Sequence, residues 1–242
     1  MILKPIHFSY KKQKDPLLKD VRLRLEKGRL NVLIGTNGAG KTTLLDILCG
    51  LHDVKGFESP FPKDEVVYQL QGMYLPPMLK GKDLVRLILK TDAPRQSFSR
   101  LTEQFNEKLA PKERQRLEKL WDVKYGDMSV GERRWLIIRS VTQLNRKLYV
   151  FDEPTAGVDP ASRPYIIDAL EQLAMKEDVY VLMSTHILHE LAHVKSFISF
   201  LHEGNMAFEG DYEAFLKEYN SENPDIAFQN FLELRELHHY QS

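Results

Sequence analysis

Two short stretches of the chain carry side chains that could do phosphate chemistry together. Gly35-Thr36-Asn37-Gly38-Ala39-Gly40-Lys41-Thr42-Thr43 fits the pattern Gly-x-x-x-x-Gly-Lys-Thr at every fixed position. The glycines let backbone N–H groups turn inward on phosphate oxygens, where a helix dipole also favours negative charge. Lys41 would then reach the β/γ-phosphates and the Thr42 hydroxyl would ligate Mg²⁺. Much further along, Lys147-Leu148-Tyr149-Val150-Phe151-Asp152-Glu153 is an apolar run ending in two carboxylates. That describes a buried strand delivering acids to the carboxyl edge of a sheet. Asp152 would sit near the metal, and Glu153 would face the γ-phosphate and polarise the attacking water. Strand alternation would point the two side chains apart. A glycine-rich turn that merely joins strand to helix is the plainer alternative for the loop. Its surroundings argue against that, since Leu30 to Ile34 ahead reads as a buried strand and Leu44 to Leu48 behind reads as helix.

Other candidates have local readings that need no ligand. Tyr10 could lay its ring over an adenine, or be a half-buried strand tyrosine. Ser129 with Glu132 three residues on makes a capping box for a helix. His186 at a strand end is more often structural than catalytic. Gln69 and Gln71 follow a short strand, and a glutamine there could ligate a metal or hold water through its amide oxygen.

The bulk numbers are those of a soluble globular domain: 242 residues, 43% hydrophobic and 28% charged. Lys+Arg and Asp+Glu both count 34, which leaves no electrostatic footprint for nucleic acid. No apolar run approaches the roughly 18 residues of a membrane span, and the N-terminus is no signal peptide. Cys49 is the only cysteine, which excludes a disulfide within these residues and suits a buried structural thiol. A cytoplasmic location is expected.

The elements around these residues follow from periodicity and breakers. Residues 1–28 alternate around Ile6, Phe8, Val21, Leu23 and Leu25, a β-hairpin with its turn at Lys14-Asp15-Pro16. Glu65 to Tyr68 makes a short strand. The loop Gln69 to Leu79 is rich in large apolar groups, and is either folded back on the core or kept for a partner. Residues 81–124 are helical, with stripes Leu84, Leu87, Ile88, then Leu101, Phe105, Leu109, then Leu117, Leu120, Trp121. Val130 to Leu144 and Ala161 to Met175 are helices, Val179 to Ser184 a strand, and Ile187 to Val194 a helix. Phe197 to Glu209 forms a hairpin around Glu203-Gly204-Asn205. Ala214 to Tyr219 and Ile226 to Tyr240 are helices.

In this order the motifs resemble the nucleotide-binding domain of an ABC-type ATPase over residues 1 to about 210. The family carries an aromatic, a phosphate loop, a glutamine loop, a signature motif, an apolar strand ending Asp-Glu, an aspartate turn and a histidine. Here these are Tyr10, Gly35 to Thr43, Gln71, Met128-Ser129-Val130-Gly131-Glu132, Asp152-Glu153, Asp159 and His186. The resemblance implies an α/β fold: a P-loop core with a parallel sheet, an N-terminal antiparallel β subdomain and an inserted helical subdomain. It implies one domain over 1–242, with the helical subdomain at 81–145 and a helical tail at 211–242. It implies ATP and Mg²⁺, the ion served by Thr42, Gln71 and Asp152, with Glu153 as base and His186 at the γ-phosphate. Ser129 and Gly131 would contact ATP on an opposite cassette in a head-to-tail homodimer or heterodimer. Val130 and Glu132 depart from the family's Gly and Gln at those positions, a form that looks like exporters of the ABC-2 type. Gln71 is preferred to Gln69 as the glutamine-loop residue. The expected function is therefore the ATPase subunit of an exporter. Its transmembrane permease would be a separate chain, and the subunit would sit peripherally on the inner face of the membrane. The rivals are a soluble ABC ATPase of ribosome or DNA and a non-hydrolysing regulatory subunit.

Overall fold

The protein's computed structural model describes residues 1–11 and 15–239, the side chains of 236–239 excepted. Strands β1 (Ile6–Phe8) and β2 (Leu18–Val21) pair antiparallel, Ile6 opposite Val21 and Phe8 opposite Leu18. Their expected turn lies partly outside the described residues, because Lys14 is not among them. The apolar runs become β3 (Leu30–Ile34), β4 (Val66–Gln69), β5 (Leu148–Asp152), β6 (Tyr180–Thr185) and β7 (Ser196–His202). These five are parallel, and β8 (Asn205–Asp211) returns antiparallel on β7. The sheet order is β4-β5-β6-β3-β7-β8, so every crossover must pass over a face and both faces are covered.

Alternation sorts the strand residues between two cores. Val32, Ile34, Tyr149, Phe151, Met183 and Phe200 look to one side, and Leu33, Leu148, Val150, Leu182 and Leu201 to the other. The second side receives α1 (Lys41–Leu48) and the β1–β2 layer. The first receives α2 (Gly81–Leu89), α3 (Phe98–Glu107), α4 (Pro111–Leu120), α5 (Val130–Val141) and α6 (Arg163–Ala174). It also receives α7 (Tyr212–Glu218) and α8 (Pro224–His239); the expected helix end at Tyr240 lies outside the described residues. Residues 81–145 thus share their apolar core with the sheet.

Three local expectations change. On α2 the buried arc is Leu84, Val85 and Leu89, which turns Leu87 outward at 58% exposure. Ile187 to Val194 is not an α-helix; only a 3₁₀ turn, Leu188–Leu191, forms there. Its two buried leucines are three apart, the spacing that a three-residue turn brings onto one side. Glu65 precedes β4 rather than opening it, and its carboxylate pairs with Lys147 at 2.8 Å.

The end of the sheet next to α7 and α8 is closed by rings. Phe200 stacks on Phe215 at 4.5 Å between centroids and lies 5.0 Å from Phe231, with Phe208 and Phe228 beyond. Phe200→Ala is expected to cost about 3–5 kcal/mol of stability, read by equilibrium urea unfolding. A loss below about 1 kcal/mol would show that the cluster contributes little.

Candidate functional site

The phosphate loop occupies the carboxyl end of β3, between β6 and β7. A Cβ on Gly35 would run into the Leu201 carbonyl oxygen of β7. Gly38 and Gly40 have φ of 83° and 100°, the left-handed region that a side chain disfavours. Gly40 caps α1 with no side-chain hydrogen bond, which leaves the helix N-terminus available to an anion. Lys41 is 7% exposed, and its Nζ donates to the carbonyls of Gly35 at 2.8 Å and Thr36 at 3.2 Å. Burial pushes its pKa down, against the pull of Glu153 and Asp152.

Asp152, buried at the end of β5, accepts from the Thr42 hydroxyl at 2.9 Å and from the Ser184 hydroxyl at 2.5 Å. Ser184 in turn accepts from the Glu153 backbone N–H at 2.9 Å. Strand alternation does not set the direction of Glu153, contrary to expectation. The strand stops at Asp152, and Glu153 takes a left-handed φ of 46°, a conformation that costs a non-glycine residue on the order of 1–3 kcal/mol. In that position its Oε2 accepts from Gln71 Nε2 at 2.8 Å and its Oε1 meets His186 Nδ1 at 3.2 Å.

Tyr10 stands on the wall of the same cleft, 41% exposed, with its hydroxyl 3.0 Å from Thr43 Oγ1 and its ring edge-on to Phe8. The cleft is about 570 Å³ and is lined by Tyr10, Leu17, Asn37, Gly38, Gly40 and Lys41 to Thr43, together with Gln71, Glu153 and His186. Gln69 is not among these residues. It is 2% exposed, with its amide folded onto the Leu70 carbonyl.

Ser129 to Glu132 do not line the cleft either. They form the reciprocal capping box at the start of α5, Glu132 N–H to Ser129 Oγ at 3.2 Å and Ser129 N–H to Glu132 Oε2 at 2.8 Å. Gly131 is needed there because a Cβ would meet Ser162 Cβ at 2.9 Å and Asp159 Oδ2 at 3.2 Å. Asp159 accepts from the Ser162 N–H at 3.0 Å, and the hydrogen bonds from Ser162 hold its carboxyl below the usual range. Val130 is left 47% exposed on the outer surface.

Sequence reasoning missed Ser184, which organises both acids, and Arg134, which donates to the Gln71 carbonyl at 2.5 Å. A serine closing an apolar strand is too common a pattern to single out. An arginine on a helix gives no hint of the loop it reaches.

Residues 18–156 match the family described as ABC transporter, more than half of the chain. The chain belongs to that family. As a member it is an ATPase, and ATP is its nucleotide. Protein McbF of Escherichia coli is 28% identical over 223 residues, 89% of this chain and 87% of McbF. The lantibiotic transport ATP-binding protein SrtF of Streptococcus pyogenes is 28% identical over 230 residues, 90% and 91%. Among solved structures, an ATP-binding subunit of an ABC transporter superposes with a TM-score of 0.75 at 22% identity, over 96% of this chain and 98% of that one. A dimeric post-hydrolysis cassette, MJ0796 with ADP and Pi, gives 0.69 at 20%, over 88% and 99%. These structures share the ABC cassette fold with the present chain.

Lys41→Ala is expected to weaken ATP binding roughly tenfold to a hundredfold, the loss of one charge-assisted contact in a site of neutral donors. Calorimetric titration checks it, and wild-type affinity would remove Lys41 from the phosphate site.

Proposed function

We propose that this ABC ATPase drives a membrane exporter of a drug, peptide or other small solute. It hydrolyses ATP at composite sites shared by two cassettes set head to tail, each a copy of this chain or a second ABC ATPase. The observation that carries this reading is the geometry of the two acids over one phosphate loop. Asp152 is joined to Thr42 on the α1 side, and Glu153 is turned toward Gln71 and His186. Glu153 is then the general base, holding a water that Gln71 and His186 orient, with His186 also at the γ-phosphate.

The donor set suits Mg²⁺, which prefers oxygen ligands and is commonly held by one or two protein groups plus nucleotide phosphates. Thr42 and Asp152 would supply those protein oxygens, with the Gln71 amide beside them. The ion's contribution is to neutralise charge on the phosphates. Tyr10 would take the adenine ring, and the loop N–H groups with Lys41 the phosphates.

The exposed start of α5 lies outside its own cleft, and its helix N-terminus could take an anion from elsewhere once the Ser129–Glu132 box opens. Ser129, Val130, Gly131 and Glu132 therefore suit an ATP held on a second cassette, and Asp159, packed under Gly131, would line that junction. SrtF, by its name a lantibiotic transport protein, and the Val130 departure favour export. Balanced charge favours a membrane partner over nucleic acid. The acids and His186 in place favour hydrolysis over a purely regulatory role. No described helix is long and apolar enough to cross a membrane, and we assign that part to a separate permease subunit on whose inner-face side this chain sits.

The loop after β4 suits the permease contact. Met73 and Leu75 pack on the core, while Tyr74 and Met78 stand 81% and 69% exposed. The core reading of this apolar loop thus applies to Met73 and Leu75, and the exposed Tyr74 and Met78 support the partner reading. Because Gln71 in the same loop touches Glu153, a displacement of the loop reaches the base. Replacing Tyr74 and Met78 with serine is expected to leave basal hydrolysis unchanged and to abolish its coupling to the membrane chain. Persisting complex formation and substrate-stimulated turnover would remove the loop from the interface.

Glu153→Gln is expected to lower turnover by about 10²–10⁴-fold, the usual contribution of a positioned base, while ATP binding persists. The neutral amide also relieves repulsion against the γ-phosphate, so an ATP-bound dimer should accumulate on size-exclusion chromatography. Wild-type turnover would exclude Glu153 as base, and a dead variant that stays monomeric would count against the head-to-tail pair.

A further inference from the structure

Glu153 and Asp159 lie at two ends of the turn between β5 and α6, His186 lies beyond β6, and one buried carboxylate outside the cleft ties that turn to the His186 segment. Glu190 is on the 3₁₀ turn Leu188–Leu191, four residues beyond His186, and its side chain is 3% exposed. Its Oε2 accepts from the Thr155 hydroxyl at 2.8 Å, two residues beyond Glu153. Its Oε1 faces Arg163 Nη1 at 3.3 Å. The Nε of the same guanidinium donates to the Val158 carbonyl at 2.9 Å, immediately before Asp159. The turn is anchored from behind, where Leu188 and Leu191 share a core with Ala227 and Phe231 of α8.

A carboxylate withdrawn from water is costly unless it is paired and hydrogen-bonded, and an apolar side chain of similar size would often hold such a turn as well or better. Burial pushes the Glu190 carboxyl up, and the Thr155 hydroxyl and Arg163 oppose that push. A carboxyl group kept here, bonded to Thr155 and facing Arg163, against its desolvation cost points to a task other than packing. Leucine at 190 could fill the space, but it could not bind a hydroxyl on one side and a guanidinium on the other. Those two contacts reach the turn after β5 from opposite ends, at Thr155 and at Val158 through Arg163.

We infer that Glu190 is a positioning residue for hydrolysis. Its carboxylate holds the segments of Glu153, Asp159 and His186 in one mutual arrangement, so that His186 stays within 3.2 Å of Glu153. The inference rests on the reading of Glu153 as base and His186 as its neighbour at the γ-phosphate. Glu190 itself touches no reacting atom. Its loss should therefore appear in turnover and not in ATP binding, because the phosphate loop and Tyr10 are not attached to this network.

The test is ATP hydrolysis by the full chain carrying Glu190→Gln, with rates expressed per folded molecule from circular dichroism. Glutamine keeps the size and an acceptor for Thr155, and removes the charge facing Arg163. The expected result is a kcat about tenfold lower, with KM for ATP and calorimetric ATP affinity within about twofold of wild type. A second pair approaches the carboxylate from its other partner. Thr155→Val should slow turnover similarly, and Thr155→Ser, which restores the hydroxyl, should recover it; this pair decides the matter if the first variant does not fold. Turnover within about twofold of wild type, or a loss confined to ATP affinity, overturns the inference. So does a Thr155→Ser no better than Thr155→Val. Glu153→Gln assayed alongside separates the two levels. If it remains active, the reading of the site fails; if it is dead beside an unimpaired Glu190→Gln, only the positioning role fails.

Discussion

The carboxylate of Asp152 is the group on which the rest of the site depends. It is 2% exposed, and a charge so buried is tolerated only when its oxygens are bonded. One oxygen takes the Thr42 hydroxyl from the start of α1, and the other takes the Ser184 hydroxyl from the end of β6. Helix α1, β5 and β6 are thereby fixed at one corner of the sheet. Ser184 also receives the Glu153 N–H, so the same hydroxyl that satisfies one acid holds the turn that aims the other. The directions of the two acids are set apart by a left-handed residue, Glu153.

Around that corner, close backbone approach is the second constraint. The β7–β8 hairpin tip reaches the N-terminal layer, where Gly204 accepts from the Lys19 N–H at 2.7 Å and a Cβ at 204 would lie 2.5 Å from the Leu17 carbonyl. Leu17 lines the cleft, and Leu201 of the same hairpin abuts Gly35. The phosphate loop therefore meets the β7 backbone at Gly35 and the side chains of Leu17 and Leu18 at Gly40. The glycines at 35 and 204 serve this packing, separately from the left-handed conformation at 38 and 40.

The helical region is joined to the cleft by few polar contacts. Arg134 on α5 donates to the Gln71 carbonyl, and the Gln71 amide donates to Glu153. The helix that presents Ser129 at its N-terminus is thus two hydrogen bonds away from the acid of its own cleft, although Ser129 does not line that cleft. Burial lowers the Arg134 pKa, in keeping with a guanidinium that is half withdrawn from solvent to reach a backbone oxygen.

Much of this was legible from residue order. The phosphate loop, the strand ending Asp152-Glu153 and the Ser129–Glu132 box are local patterns whose physics lies within a few residues: φ freedom at glycine, unbroken hydrophobicity in a strand buried on both faces, and a side chain reaching its own helix N-terminus. Their order along the chain carried the family resemblance, and with it the parallel sheet and the nucleotide. Local pattern could not choose between Gln69 and Gln71, assign Leu87 to the surface, or stop the segment after His186 at a single 3₁₀ turn. Those outcomes depend on which neighbour fills the space. The direction of Glu153 is the clearest case, since strand alternation alone would aim it by period two. Its left-handed turn arises where Ser184, thirty-one residues away in sequence, binds its N–H. A hydrogen bond between strands exists only once the sheet has assembled, so the chemistry of each residue type was set by sequence and its aim was set by tertiary contact.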